Sequence, residues 1–145
     1  MQFEKTITTH SPPSTVWKAL TAPNLMKQWM GEPEMNLDIQ TDWTVGRSII
    51  ISGFHHVKFE NKGVVLEFEP NRKLAYTHLS SISRLPDKPE NYTIFEFTLT
   101  PSGDGTSLTV TISNFPTESI FKHIDFYWQA TVEIIKKVSK KNYKK

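Results

Sequence analysis

The five histidines are the residues of this sequence best suited to bind a metal or to move a proton near neutral pH. His55 and His56 are neighbours on a predicted strand, so we expect their side chains on opposite faces and not as two ligands of one metal. His10, His78 and His123 are far apart and belong to no His-x-x-x-His or Glu-x-x-His motif. We therefore predict no metal site. His78 alone is interpreted as functional, as a polar anchor among aromatic residues.

General acid and base catalysis needs ionisable groups that converge, and the sequence offers few of them. Glu67, Glu69 and Glu96 fall on the solvent-facing parity of their predicted strands. Cysteine is absent, and so are the Gly-x-Ser-x-Gly, Gly-x-Gly-x-x-Gly and Walker motifs. We predict neither catalytic residues nor a cofactor, which favours a protein that is not an enzyme. An enzyme would need the opposite parity around Glu67, or a mobile loop that delivers charged side chains: Arg84, Asp87 or Glu90.

The composition predicts one globular domain spanning residues 1–145. Hydrophobic residues make up 37% of the chain and charged residues 22%, as in ordinary globular proteins. A chain of this length needs no disulfide or structural metal to fold. Because no apolar run is long enough for a membrane span and the first residues lack a signal-peptide pattern, we expect a cytoplasmic protein.

The charge of the chain is unevenly distributed. Six of the 17 basic residues are lysines in a basic tail, residues 136–145, whereas the rest of the chain carries 11 basic and 15 acidic residues. Nucleic-acid-binding domains usually spread their cations over one face, so we do not expect a nucleic-acid partner. We interpret the tail as the solvated end of the C-terminal helix, where lysines favour the negative end of the helix dipole.

Hydrophobic periodicity predicts the first three elements of the chain, a strand and two short helices. A first strand covers residues 2–9, and a short helix over residues 12–20 begins after Ser11, a favourable N-cap. A second short helix follows Pro23. Gly31 is placed to end it in the left-handed conformation.

The rest of the chain predicts an antiparallel sheet followed by a long helix. Residues 34–115 contain six short strands, with one turn expected at residues 61–63. From Thr117, the predicted N-cap, an amphipathic helix of about 24 residues would extend roughly 36 Å. The fold class is therefore α+β, with the long helix lying on the sheet.

Strand parity and the apolar stripe of the long helix predict a concave, apolar face between them. The same pattern fits a filled core as well as an open cavity. If a cavity exists, nine residues are predicted to bind its ligand: Ile51, Leu66, Phe68, Tyr76, His78, Phe95, Phe97, Tyr127 and Trp128. The other tryptophans, Trp17, Trp29 and Trp43, are expected near one end of the fold and away from the ligand.

The order of several local motifs resembles a known family over nearly the whole chain. The sequence is similar to the activator-of-heat-shock-protein-90-ATPase homologue (AHSA-type) branch of the START/Bet v 1-like (SRPBCC) superfamily. The matching segments are Val16 to Pro23, Trp29, Trp43 to Gly46, Gly63 to Pro70, Leu74 to Thr77 and Gly105 to Leu108. Two positions depart from the family pattern: Ala22 stands where an acidic N-cap is usual, and His78 where a tryptophan is common.

The resemblance implies a helix-grip fold, in which a curved antiparallel sheet wraps around the C-terminal helix and leaves an apolar cavity. Members of the superfamily carry lipids, sense hormones, cyclise polyketides or act as cochaperones, so fold alone does not select the function. We expect non-enzymatic binding of a small apolar, amphipathic or lipid-like molecule in the cavity. One alternative is an interaction protein that modulates a chaperone in a stress response through its outer surface. A second alternative is an enzyme of the cyclase or dehydratase type.

Overall fold

The computed structural model describes residues 1–143, so that Lys144 and Lys145 of the predicted basic tail lie outside the described residues. Seven antiparallel strands form one sheet in the order β1-β7-β6-β5-β4-β3-β2. The strands are β1 (Phe3–Thr9), β2 (Asp38–Gln40), β3 (Ser48–His55), β4 (Val57–Glu69), β5 (Lys73–Ser80), β6 (Thr93–Ser102) and β7 (Gly105–Ser113). The helices are α1 (Pro13–Thr21), α2 (Pro23–Met30) and α3 (Glu118–Lys141). The predicted α+β helix-grip fold is confirmed.

The long helix α3 has the beginning and the length that the sequence predicts. The Thr117 hydroxyl oxygen accepts a hydrogen bond from the backbone N–H of Ile120 at 3.1 Å, which satisfies one of the free donors of the first turn. The helix buries a stripe of residues against β1, α1 and α2: Ile124, Val132, Ile135, Val138 and Ser139. None of the helices within residues 1–143 is both long and apolar enough to cross a membrane.

Two indole hydrogen bonds fix the short helices to the chain that follows them. The Trp29 Nε1–H donates to the carbonyl of Ala19 at 2.7 Å, and the Trp43 Nε1–H donates to the carbonyl of Thr21 at 2.9 Å. Both acceptors are at the carboxyl end of α1, where backbone carbonyls lack partners within the helix. The position of α1 is therefore coupled to α2 and to the loop that contains Trp43.

Two predicted helix ends are wrong in detail. The residue before α1 is Pro12, with no side-chain capping bond, and not Ser11. Gly31 has a φ of −175°, which is extended backbone and not the left-handed conformation. The chain leaves α2 directly in an extended form. In the segment that follows, the Met35 Sδ accepts a hydrogen bond from the Glu32 N–H at 3.2 Å.

The hairpin between β3 and β4 lies earlier in the chain than predicted. The reversal occurs at His56, which has a φ of +66°, and His55 pairs with Val57 across it. The predicted turn at residues 61–63 is wrong, since these residues lie inside the 13-residue strand β4. Gly63 is required there for another reason: a Cβ atom would collide with the carbonyl of Thr77 on β5.

A register shift between Val65 and Glu67 changes the parity of β4. Val65 is completely buried, whereas Leu66 is 40% exposed, so the prediction that Leu66 faces the concave side is wrong. After the shift Phe68 points inward again, with its ring 5.2 Å from that of Trp17. An extra residue in one strand of a pair has this effect, because two successive positions then oppose one partner.

The register shift predicts unequal costs for two neighbouring substitutions. Val65→Ala should lower the free energy of unfolding by about 2 kcal/mol, because it removes two fully buried methyl groups. Leu66→Ala should lower it by about 0.5 kcal/mol or less, as at a surface position. Urea denaturation of both variants measures the two values, and a larger loss for Leu66→Ala would contradict the assigned register.

Candidate ligand-binding site

A cavity of about 750 Å³ lies between α3, the end of α2 and the concave face of strands β3 to β6. Ile120, Ile124 and Trp128 line it from α3, and Ile51 and Tyr76 line it from the sheet. This volume falls within the range of small-molecule binding sites. The side chains therefore leave a hollow between α3 and the sheet that is open to solvent.

Four aromatic residues form one wall of the cavity, which we call the aromatic wall: Trp29, Tyr76, Phe95 and Trp128. The ring of Trp128 lies 6.0 Å from that of Trp29 and 5.3 Å from that of Phe95. Tyr76 stacks on Phe95 at 5.8 Å. These spacings are those of favourable aromatic pairs, so the rings hold one another in place before any ligand binds.

Four polar residues lie together at another part of the wall, and we call them the polar row: Asn61, His78, Ser80 and Thr93. The strand register pairs Asn61 with Ser80 and His78 with Thr93. His78 and Ser80 are two residues apart on β5, so their side chains share a face. All four residues line the cavity. The cavity thus has an aromatic part and a polar part.

Asn61 has an unusual environment within the polar row. Its Oδ1 atom is buried and accepts no hydrogen bond from any residue of the described chain. Buried polar atoms in folded proteins nearly always have a partner, because an unpaired one loses its interaction with water without replacement. The amide of Asn61 is therefore a point where the protein alone leaves hydrogen-bonding capacity unused.

Two ionisable residues of the sheet are held in their uncharged forms. Burial lowers the pKa of His78 to about 4, partly offset by a backbone hydrogen bond. Burial also raises the pKa of the Tyr76 phenol well above its usual value of 10. At neutral pH the imidazole and the phenol can therefore donate and accept hydrogen bonds, but they bring no charge into the cavity.

A loop between β5 and β6 closes one side of the cavity. Ile82 and Leu85 of this loop line it. Asp87 anchors the loop: its carboxylate is 2.6 Å from the Lys62 Nζ and accepts a hydrogen bond from the Tyr92 hydroxyl at 2.6 Å. These partners lower the pKa of Asp87, while Asp87 raises the pKa of both Lys62 and Tyr92.

The structure brings six of the nine predicted ligand-binding residues to the cavity and leaves three elsewhere. The six are Ile51, Tyr76, His78, Phe95, Tyr127 and Trp128. Leu66 points away from the concave face because of the register shift. Phe68 packs between Trp17 and Trp43. Phe97 is fully buried behind the aromatic wall, 6.1 Å from the ring of Trp128.

Asn61 and Trp29 are two of the cavity residues that the sequence analysis does not identify. Asn61 was assigned to a turn, because Asn-Lys-Gly is typical of one. Trp29 was expected far from the ligand, yet it touches Trp128 at the aromatic wall. No local pattern identifies either residue. The position of Asn61 at the cavity depends on the hairpin at His56, and the position of Trp29 depends on the packing of α2 against α3.

The ionisable residues considered for chemistry lie mostly outside the cavity. Glu67 and Glu96 face solvent and share Lys73, at 3.3 and 3.5 Å. The rings of His55 and His56 lie 4.6 Å apart, contrary to the expectation of opposite faces, because His56 is the turn residue and not part of a strand. Within residues 1–143, no group of three or more His, Asp or Glu side chains is placed to hold a metal ion.

Comparisons with known proteins identify related chains. The family model described as Activator of Hsp90 ATPase homolog 1-like protein matches residues 10–140. None of the curated proteins searched matches the chain significantly.

Several solved structures are similar over most of their length. A solution structure of a Cytophaga hutchinsonii protein is 30% identical, with a TM-score of 0.78 over 94% of this chain and 92% of that one. A crystal structure of a Mesorhizobium loti protein is 22% identical, with a TM-score of 0.78 over 99% and 100%. The solution structure of the Aha1 dimer from Colwellia psychrerythraea is 21% identical, with a TM-score of 0.73 over 94% and 93%.

The burial of His78 predicts a pH dependence of stability. The folded-state pKa is about 4 and the ordinary value is 6.5, so between these values the unfolded chain binds more protons than the folded one. The free energy of unfolding should therefore fall as the pH drops from about 6.5 towards 4, by up to about 1.4 kcal/mol per pH unit from this group.

Urea denaturation between about pH 6.5 and pH 5, above the range where most carboxylates titrate, measures this contribution. The variant His78→Gln should show the shallower pH dependence. Equal slopes for the two proteins would show that His78 titrates alike in the folded and unfolded states.

Proposed function

The chain belongs to the Activator of Hsp90 ATPase homolog 1-like protein family of the SRPBCC superfamily, and on this premise we propose that it binds a small apolar or amphipathic molecule without converting it chemically. The observation that carries the proposal is the cavity of about 750 Å³ with its preformed aromatic wall. A packed core would place side chains in this space. An open, mainly apolar cavity with a few polar groups is the usual form of a small-molecule site.

The affinity would come mainly from burial of apolar surface, at about 25 cal/mol per Å². Trp29, Tyr76, Phe95 and Trp128 already contact one another, so little side-chain freedom is lost when a ligand enters. Such preorganisation increases affinity because the cost of ordering the site has been met during folding. The polar row would then set the orientation of an amphipathic ligand.

The positions of the charged residues support binding without catalysis. Glu67 lies on the outer face with Lys73, and Asp87 is engaged by Lys62 and Tyr92. The paired acid and base of a cyclase or dehydratase would have to come from elsewhere. The absence of cysteine from the sequence supports a reducing compartment such as the cytoplasm.

Tryptophan fluorescence tests the proposal with an uncharged apolar dye, N-phenyl-1-naphthylamine. The dye should bind saturably at micromolar concentration and quench tryptophan emission, because Trp29 and Trp128 border the cavity. Trp128→Phe and Trp29→Phe should each remove a substantial part of the quenching. Trp17→Phe is the matched control, since Trp17 is buried against Phe68 and lies outside the aromatic wall.

Two results would oppose the proposal. The first is that the dye fails to bind the folded protein at micromolar concentration. The second is quenching that Trp17→Phe reduces as strongly as Trp128→Phe does, because the dye would then occupy another site.

A second candidate function is supported by the outer surface of α3. Phe126 is 73% exposed and lies beside Tyr127, which lines the cavity and is 55% exposed. Such large apolar rings are stabilised when a partner covers them. This observation favours an interaction protein that modulates a chaperone in a stress response, as the family description suggests.

The chaperone hypothesis predicts stimulation of ATP hydrolysis by an Hsp90-type chaperone from the same host. The variant Phe126→Ser should remove most of this stimulation, whereas Phe126→Tyr should retain it. An unchanged rate of ATP hydrolysis on addition of the unmodified protein would contradict this function.

A further inference from the structure

We propose that the ligand is an uncharged amphiphile with a hydroxyl group, and that this hydroxyl donates a hydrogen bond to the amide oxygen of Asn61. The inference rests on the proposed function, since it assigns the chemical class of the molecule that enters the cavity. It also makes Asn61 the residue that selects this class.

The hydrogen-bonding state of Asn61 carries the first part of the argument. The residue lines the cavity, between Ile51 on β3 and Ser80 on β5, and its Oδ1 accepts no hydrogen bond within residues 1–143. The Ser80 hydroxyl oxygen, on the neighbouring strand, accepts from the Ile82 N–H at 3.2 Å and makes no hydrogen bond to Asn61 Oδ1. A ligand that donates a hydrogen bond beside Asn61 would supply the partner that this oxygen lacks.

The unpaired atom is the carbonyl oxygen Oδ1 of Asn61, and its chemistry determines which polar group of a ligand can pair with it. A carbonyl oxygen accepts hydrogen bonds, so the ligand must donate one. A hydroxyl does so, whereas an ether oxygen or an ionised carboxylate can only accept. A ligand without a donor would leave Oδ1 buried and unpaired, which is unfavourable.

The charges around the cavity carry the second part of the argument. Among the residues that line it in the described chain there is no lysine or arginine, and one carboxylate, Glu32, lies at its rim. The imidazole of His78 stays neutral at pH 7 because burial lowers its pKa to about 4. Two further histidines line the outer part, His55 and His123. An anionic ligand would lose its hydration without gaining a counter-charge beside the polar row.

The arrangement of the polar row and the aromatic wall fits an amphiphile and not a wholly polar molecule. Asn61, His78, Ser80 and Thr93 are contiguous on the concave face, as the strand register places them. The aromatic wall begins beside them, since the His78 ring is 5.3 Å from that of Phe95. A hydroxyl at the polar row therefore directs the attached apolar body along the aromatic wall.

Four probes with the same alkyl chain test the inference: 1-decanol, decyl methyl ether, decanoate and decylammonium. Their affinities are measured at pH 8 by displacement of N-phenyl-1-naphthylamine from the full chain. We expect 1-decanol to bind about tenfold more tightly than the ether, the factor that corresponds to one hydrogen bond. Decanoate and decylammonium should bind at least about tenfold more weakly than the alcohol.

Substitution of Asn61 provides the residue-specific test. In Asn61→Leu, which keeps the size of the side chain and removes the acceptor, the alcohol should lose its advantage while the affinity for the ether stays the same. Thr131→Val is the matched control: Thr131 lines the cavity, but its hydroxyl already donates to the carbonyl of Tyr127 at 3.1 Å. This variant should keep the tenfold ratio.

The outcomes separate the inference from the proposed function. If the dye binds but none of the four probes displaces it, or if the alcohol and the ether bind equally, the inference is overturned and the cavity still binds an apolar ligand. Decanoate or decylammonium binding as tightly as the alcohol, or an alcohol preference that survives in Asn61→Leu, also overturns it. If the dye itself does not bind, the proposed function fails as well. Should Asn61→Leu not fold, the ratios in the unmodified protein decide.

Discussion

The contact of Trp128 with Trp29, Phe95 and Phe97 determines the spacing between the long helix and the sheet. Three aromatic rings from α2 and β6 meet the indole of α3 at centroid distances of 5.3 to 6.1 Å. Because these rings are large and rigid, α3 cannot approach the sheet more closely at this point. The space that remains beside the contact, bounded by β3 to β6, is the cavity.

The remaining elements maintain this spacing. The indole hydrogen bond of Trp29 to Ala19 fixes α2 to α1, and Lys5 on β1 donates to the carbonyl of Gln129 on α3 at 2.8 Å. The far side of the cavity is closed by the loop that Asp87 anchors to Lys62 and Tyr92. A small number of contacts between distant parts of the chain thus keeps the cavity open inside a well-packed fold.

The sequence was sufficient to predict features that depend on local periodicity. The boundaries of α3 and the N-cap role of Thr117 follow from the apolar stripe and from capping chemistry, and the structure confirms both. The parity rule failed at Leu66, because one extra residue in β4 reverses it and no local signal marks that residue. The assignment of Asn61 to a turn fails for a similar reason. The tripeptide Asn61-Lys62-Gly63 is typical of a turn, but it lies inside β4, where the close approach of Thr77 on β5 requires the glycine.

The register shift in β4 also has an evolutionary consequence. It divides one strand into a first part, with Phe59 and Asn61 at the cavity, and a second part, in which Phe68 packs against Trp17. Substitutions that reshape the first part leave the packing of the second part intact, since the extra residue between them absorbs changes in twist. Related proteins could therefore acquire new ligands by mutation of residues 57–61 without a matching loss of stability, which makes this strand a favourable place for specificity to diverge.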